Sequence, residues 1–531
     1  MPTVRATSRA RGRRERGPGE NRLGSVRRRA QPSGAAAGRS PHTPSLQVRH
    51  LRASVRLILA LALLGPGALL TPGCPSSSGV ARAQAGLPLG AELLREAIRL
   101  PTVSGIDGER ALAEFLASRL SGLGIEAKVI DTPDPSGRGQ HAALWARVPG
   151  AGLGRPVVLL SHLDVVQADP AAWDVPPFEG RVDGTFVHGR GALDAKGVTI
   201  GHILALLELS GREHPIARDV ILLSTPGEET GGRHGAGYIA RERPDLLDDA
   251  EFLLTEGGGI RPMSRGRGVW GVTINEKSPC WLKVEVHGRP GHGSAPTPDH
   301  AVPRLIAALD RVRRIESPIR VLPIVERQFA AMAPVAQPED QRGFADLKAA
   351  VVSKGPFQLR FLANPGRAAL VRNTVSITVL EGSRTTNVVP GRAVAHLDAR
   401  LLPGERCEDF TQAIRRVIAD DGVQVTPILA FPSVGSPEDS ALFRAIERVA
   451  EAEDPEAVVV PRLIAGFTDA HWFREIGITA YGFVPRRLTA AESAGVHGVD
   501  EKIRIEMLDE VGHLTARILE ELPAGWAPNA E

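Results

Sequence analysis

Four short stretches of this 531-residue chain carry side chains that can hold a metal or move a proton. Leu159-Leu160 leads into Ser161-His162-Leu163-Asp164, Val220 to Leu223 leads toward Glu228-Glu229, and Phe252-Leu253-Leu254 leads into Thr255-Glu256. Gly189-Arg190-Gly191-Ala192-Leu193 turns into Asp194 just ahead of a helical stretch, and His497, between Val496 and Gly498, adds a second imidazole from far along the chain. Imidazole nitrogen and carboxylate oxygen both bind zinc at about 2 Å. One ion cannot use two histidines and so many carboxylates economically. Two ions about 3.5–4 Å apart, sharing a bridging carboxylate, can. Taken singly, a histidine at a strand end is more often structural and paired glutamates are usually just solvated. The four clusters in this order point to a two-metal centre.

Positioning them is the work of the surrounding elements. From Leu87 the chain alternates apolar strand-like runs (156–160, 220–223, 252–254) with helical stretches such as 198–209, the signature of an α/β layer fold. In open α/β sheets ligands bind beyond the carboxyl ends of the strands, so the clusters are expected to share one crevice. The texture changes near Cys280: residues 281–286 alternate with period two, as an antiparallel strand with one wet face does, and 376–380 and 393–397 follow the same pattern. A helix is expected over 301–315. These signals divide the chain into a basic leader and signal segment (1–85), a catalytic α/β domain in two parts (86–278 and 404–531) and an inserted α+β domain (279–403). Helices over 408–419 and 505–522 are assigned to the second catalytic part.

Composition is that of an ordinary globular protein: 42% hydrophobic, 24% charged, mean hydropathy −0.08. The net charge of +3 averages two unlike regions. The first 56 residues hold 14 arginines, no lysine and only Glu15 and Glu20, a net +12, which leaves −9 on the rest. An acidic body argues against a nucleic-acid partner. Arg52 and Arg56, the apolar run 57–64 and small residues ending Ala83-Gln84-Ala85 read as an export signal cleaved after Ala85, placing the protein in the periplasm or outside the cell. Lipidation at Cys74, which would tie it to a membrane, is disfavoured by Thr71 where an aliphatic residue is wanted. Only Cys74, Cys280 and Cys407 occur, without metal-binding spacing, so any metal relies on histidine and carboxylate.

Seven segments, SHLDVV (161–166), WDVPPF (173–178), GRGALDAKG (189–197), Glu228-Glu229, TNVVP (386–390), Asp398-Ala399-Arg400 and HGVDE (497–501), together resemble the co-catalytic zinc metallopeptidases. That family includes glutamate carboxypeptidase, acetylornithine deacetylase, succinyl-diaminopimelate desuccinylase and aminoacylase. Residues 173–178 and the long insert most resemble the branch of carboxypeptidase S and the secreted N-fatty-acyl-amino-acid hydrolases. The resemblance spans about 93–522. It implies a mixed central sheet flanked by helices, an inserted lid that also makes a homodimer, and hydrolysis of an amide bond, peptide or N-acyl, beside a free carboxylate. His162, Asp194 and Glu256 would hold one divalent ion and Asp194, Glu229 and His497 the other; zinc is the first choice, with cobalt or manganese tolerated by similar donors. Glu228 would be the general base, Asp164 would support the His162 imidazole, and His292 would reach the oxyanion from the neighbouring subunit. Asn387 and Arg400 would grip the substrate carboxylate, with Gly466 and Thr468 lining the pocket. A cis peptide is usual beside the bridging Asp194. Two departures stand out: Ala195 follows that aspartate, and His471 stands where arginine is more usual. His188, His234, His287 and His396 match no ligand motif. Cys280 and Cys407 flank the insert, and their spacing leaves open whether they pair. A catalytically dead receptor or scaffold on this fold is the competing class, and such proteins lose ligands or the base, all of which are present here.

Overall fold

A computed structural model describes residues 86–525 apart from 105–107, 136, 139–140 and 264–267, so the expected leader and Cys74 lie outside the described residues. Its centre is a nine-stranded mixed sheet. The path runs Glu126–Asp131, Ala142–Val148, Arg218–Thr225, Gly154–His162, Phe252–Thr255, Thr479–Gly482, Gly268–Glu276 and Val458–Ile464, with Gly259–Pro262 paired to Gly268–Glu276. The four strands from Arg218–Thr225 to Thr479–Gly482 run parallel. Parallel strands are buried on both faces, which explains their unbroken apolar text. Val157 and Leu159 pack into the larger core with the helices Leu89–Ile98, Glu109–Gly122, Lys196–Ser210 and Ile505–Glu520. Val158 and Leu160 face the opposite layer, built on Ala236–Glu242 and Ala470–Glu475.

Helix Lys196–Ser210 is apolar nearly all round because it lies between the sheet and helix Ile505–Glu520. Glycines make that approach possible: a Cβ on Gly201 would meet Val511 at 2.4 Å, and one on Gly512 would meet Leu204 at 2.6 Å.

The second unit of structure is a four-stranded antiparallel sheet, ordered Thr374–Glu381, Arg392–Leu401, Ser278–His287, Val423–Ala430. Helices Ala301–Arg313 and Cys407–Ile418 cover it, and its separate core contains Leu282, Val284, Leu305, Leu397, Ile414 and Val425. This differs from the expected boundary at 403. Helix Cys407–Ile418 and the strand after it belong to the inserted layer, because Ile414, Ile418, Val423 and Val425 turn toward its core. Residues 323–370 differ in the other direction. They form five short α-helices and one 3-10 turn, and Phe329, Phe344 and Phe361 join the core of the catalytic layer. Cys280 and Cys407 are joined by a disulfide, with Cα atoms 5.3 Å apart, which ties the first strand of the inserted sheet to its second helix.

Candidate active site

The chemistry-bearing residues sit where the strands stop. His162 is the last residue of its strand; Glu228 and Glu229 follow Arg218–Thr225 on a short 3-10 turn; Glu256 follows Phe252–Thr255. Gly227 opens that turn at φ +80°, a left-handed conformation that glycine adopts without penalty. Asp194 ends the Gly-rich turn before helix Lys196–Ser210, and the Asp194–Ala195 peptide is cis.

His162 Nε2 lies 2.9 Å from Asp194 Oδ1 and 3.4 Å from Glu256 Oε1. His497 Nε2 lies 3.3 Å from the other oxygen of Asp194 and 3.0 Å from Glu229 Oε1. Asp194 therefore stands between the two imidazoles with one oxygen toward each. Donor atoms of His162, Asp194 and Glu229 all fall within 4.8 Å of one another, as do those of His162, Glu228 and Glu256. Two histidines and four carboxylates in so small a space suit a pair of divalent cations, and few other ligands would offset that much negative charge.

The charges respond to this crowding. Burial and then the Asp194 charge push the Glu256 carboxyl up to about 7. Burial lifts Glu228 well above the usual carboxylate range, against the pull of His162. Asp194 goes the other way: burial opposes it, but hydrogen bonds from His162 and His497 hold it well below that range. His497 is raised to about 10 by its bonds to Asp194 and Glu229.

Behind these groups lies a second set of contacts. His162 Nδ1 donates to the backbone carbonyl of Asp164 at 2.8 Å, with the Asp164 carboxylate 3.5 Å away. That carboxylate instead accepts from the amides of Glu228 and Glu229, both at 3.1 Å, and from Ser104 Oγ at 2.7 Å. It thus fixes the turn that carries the two glutamates. Glu501, fully buried, accepts from Arg190 at 2.7 Å and from the amides of Gly191, Leu193 and Asp194 at 2.6–3.1 Å. Trp173 packs over the Arg190 guanidinium at 5.1 Å. Glu501 carried no role in the sequence reading beyond its place in a motif. Its signal was there, four residues after His497.

Asp194, Glu228, Glu229, Glu256 and His497 line a cleft of about 660 Å³, together with Arg400, Gly466 and Thr468 from the expected substrate set. Arg400 comes from the inserted sheet. Its guanidinium pairs with Asp398 at 2.6 and 3.0 Å and lies 5.5 Å from the Trp281 ring and 4.8 Å from the Phe467 ring. These two aromatic residues were missed, because nothing in their local pattern shows that an arginine lies against them. Thr468 donates to Glu276 at 2.8 Å, which anchors the loop behind the cleft. His471 stacks face to face on Phe431 at 3.5 Å, and burial lowers its pKa. Of the four histidines without a ligand motif, His188 pairs with Asp183 at 2.7 Å and His287 with Glu285 at 2.9 Å.

His292 and Asn387 do not line this cleft. Both are exposed and sit on a small ribbon, Gly291–His292 paired with Val388–Val389, where Gly293 N donates to the Asn387 carbonyl at 2.7 Å. Among the described residues His292 Nδ1 hydrogen-bonds only with Ser294, accepting from its amide at 3.1 Å and pairing with its hydroxyl at 2.8 Å.

Comparison with known proteins agrees with this geometry. The model of Peptidase family M20/M25/M40 matches residues 158–521. The chain is 27% identical over 443 residues to the N-fatty-acyl-amino acid synthase/hydrolase PM20D1 of Mus musculus, covering 78% of this chain and 84% of that protein. It is 26% identical over 404 residues to the Aminoacylase-1 of Mus musculus, covering 75% and 87%. Among solved structures, an M20 family metallo-carboxypeptidase, Sso-CP2 from Sulfolobus solfataricus, superposes with a TM-score of 0.64 at 20% identity, over 82% of this chain and 99% of that one.

Proposed function

The chain belongs to Peptidase family M20/M25/M40, and on that premise we propose that it is a dimetal amidohydrolase cleaving an amide bond beside a free carboxylate, as a carboxypeptidase or an N-acyl-amino-acid hydrolase. One observation carries the reading: Asp194 stands between His162 and His497, with Glu256 beside one imidazole and Glu229 beside the other, in the cleft that also holds Arg400. His162, Asp194 and Glu256 would hold one ion, and Asp194, Glu229 and His497 the other; zinc suits the donor set best. Bound there, the ions would supply Lewis acidity, giving a nucleophile at neutral pH and a polarised carbonyl.

The remaining work falls to the chain. Glu228 is buried beside the ligand set and its raised carboxyl suits a group that must take and return a proton near neutral pH. It takes the proton of the attacking water and returns it to the departing nitrogen. Asp164 holds the backbone of Glu228 and so fixes where that base points. Arg400 orients the substrate by its carboxylate, the planar guanidinium donating two parallel bonds. Gly466 and Thr468 shape the wall opposite. His292 and Asn387, on an exposed ribbon, complete the site from the second subunit of a homodimer, His292 donating to the developing oxyanion. Export follows the leader, and a disulfide within the described residues supports an oxidising compartment. Every expected ligand and the base are filled, which removes the ground for a dead scaffold.

The test separates base from ligand. Glu228→Gln is expected to lose about 10²–10⁴ in kcat while keeping its metal. Glu229→Gln is expected to lose metal, read by elemental analysis after dialysis. Equal metal loss in both would overturn the assignment.

A further inference from the structure

The cleft holds more positive charge than one substrate carboxylate needs. Four arginines line it: Arg261, Arg400, Arg462 and Arg486. Two are accounted for. Arg400 is paired with Asp398, and Arg486 donates to the Leu193 carbonyl and feels the charges of Asp194, Glu256 and Glu501. Arg261 and Arg462 are different. Among the described residues neither has a hydrogen bond or an ion pair, and the one charge acting appreciably on Arg462 is that of Arg261, which repels it.

The backbone is arranged to bring them there. Arg462 lies on strand Val458–Ile464 and crosses the neighbouring strand at Gly271, where a Cβ would meet its Cδ at 2.4 Å and its Nη1 at 3.0 Å. Gly271 in turn faces Gly259, two residues before Arg261 on the next strand. Gly271 thus leaves its strand bare where the Arg462 guanidinium passes over it. Burial brings the Arg462 guanidinium down to about 10. Partly withdrawing an arginine from water beside a second one, with no anion supplied among the described residues, is costly, and a bound anion reverses that cost.

We propose that Arg261 and Arg462 form a second anion-recognition point in the catalytic cleft, so that the preferred substrates carry two carboxylates. One is held at Arg400 beside the scissile amide; the other, on a side chain or on the acyl group, is held by the Arg261–Arg462 pair. The pair's ligand class is therefore a second carboxylate on either side of the scissile amide, and planar guanidinium groups match it by donating in parallel. The inference rests on the amidohydrolase reading and narrows it.

Matched substrates test it on the metal-loaded enzyme. N-acetylglutamate is compared with N-acetylglutamine, and N-succinyl-leucine with N-succinamoyl-leucine, so that the charge is removed in turn from each side of the amide. The acid member of at least one pair is expected to be favoured by about 10–100-fold in kcat/KM, the worth of a charge-assisted hydrogen bond. Arg462→Met should abolish that preference through KM while leaving the neutral member within about twofold, and Arg462→Lys should restore part of it. Arg261→Met repeats the test at an exposed position, where folding is not at stake. Equal cleavage of acid and neutral members by the parent, or equal losses on both in Arg462→Met, would overturn the proposal and leave the amidohydrolase reading intact. No turnover of any of the four substrates, with metal bound, would bring down both.

Discussion

The two sides of the site are built to different standards. On the catalytic wall nearly every functional side chain is held from behind. Glu501 grips the Asp194 turn through three amides and Arg190, and Asp164 grips the Glu228-Glu229 turn through two amides. On the inserted layer His292 and Asn387 ride an exposed two-residue ribbon, and His292 Nδ1 is held by Ser294. Groups that must hold like charges together need rigid support before substrate arrives. A donor that meets the substrate late needs reach more than rigidity. Changes on the wall should therefore cost stability and metal, whereas changes on the ribbon should cost turnover alone.

The sharpest test of that contrast is Glu501→Gln. It keeps the shape and removes the charge that Arg190 and three amides share, and removing one partner of a buried pair costs about 3–5 kcal/mol. Chemical denaturation should show a loss of that size, with weaker metal retention because the Asp194 turn is no longer clamped. A variant that kept full stability and metal would show that the wall is not held as described. His292→Ala should do the reverse, losing about 10²–10³ in turnover with unchanged unfolding and metal content. Mixing it with Glu228→Gln in verified heterodimers should restore activity, because one site then has both its own Glu228 and its neighbour's His292. Persistent inactivity would return His292 to its own chain.

Arg400 spans the comparison, being on the inserted layer yet lying against both Trp281 and, from the catalytic layer, Phe467. Arg400→Ala should raise KM for carboxylate substrates by about 10–100-fold and leave the corresponding amides nearly untouched. A uniform loss on both would mean that it packs the layers together without reading charge.

The same contrast explains what the sequence made legible. Candidate metal ligands at strand ends are visible because an apolar run and a ligand are contiguous in the chain: His162 ends its strand, and Glu229 and Glu256 follow theirs within a few residues. Relations between strands are not written that way. Strand Val423–Ala430 joined the inserted sheet although its second half, from Pro427, breaks the alternation. The helices of 323–370 looked irregular because each is short and all but Leu347–Val352 begin at a proline, and only their phenylalanines reveal where they pack. Arg462 passes over Gly271 because the two strands are parallel neighbours, a fact absent from either segment alone. The Cys280–Cys407 bond likewise depends on a helix turning back onto its own sheet.

The smallest expected effect probes the ribbon most finely. His292 Nδ1 accepts the Ser294 amide hydrogen, so in the neutral imidazole the proton sits on Nε2, the nitrogen free to donate elsewhere. The Ser294 hydroxyl, 2.8 Å away, reinforces that tautomer without being its sole cause. Ser294→Ala leaves the amide in place and removes one neutral hydrogen bond, worth about 0.5–1.5 kcal/mol. Turnover should accordingly fall by about 2–10-fold, with KM, metal content and unfolding unchanged, and the defect should vanish in a His292→Ala background because the hydroxyl acts only through that ring. If Ser294→Ala instead lowered stability, the ribbon would be a structural element like the wall. If its effect persisted without His292, Ser294 would be touching substrate itself.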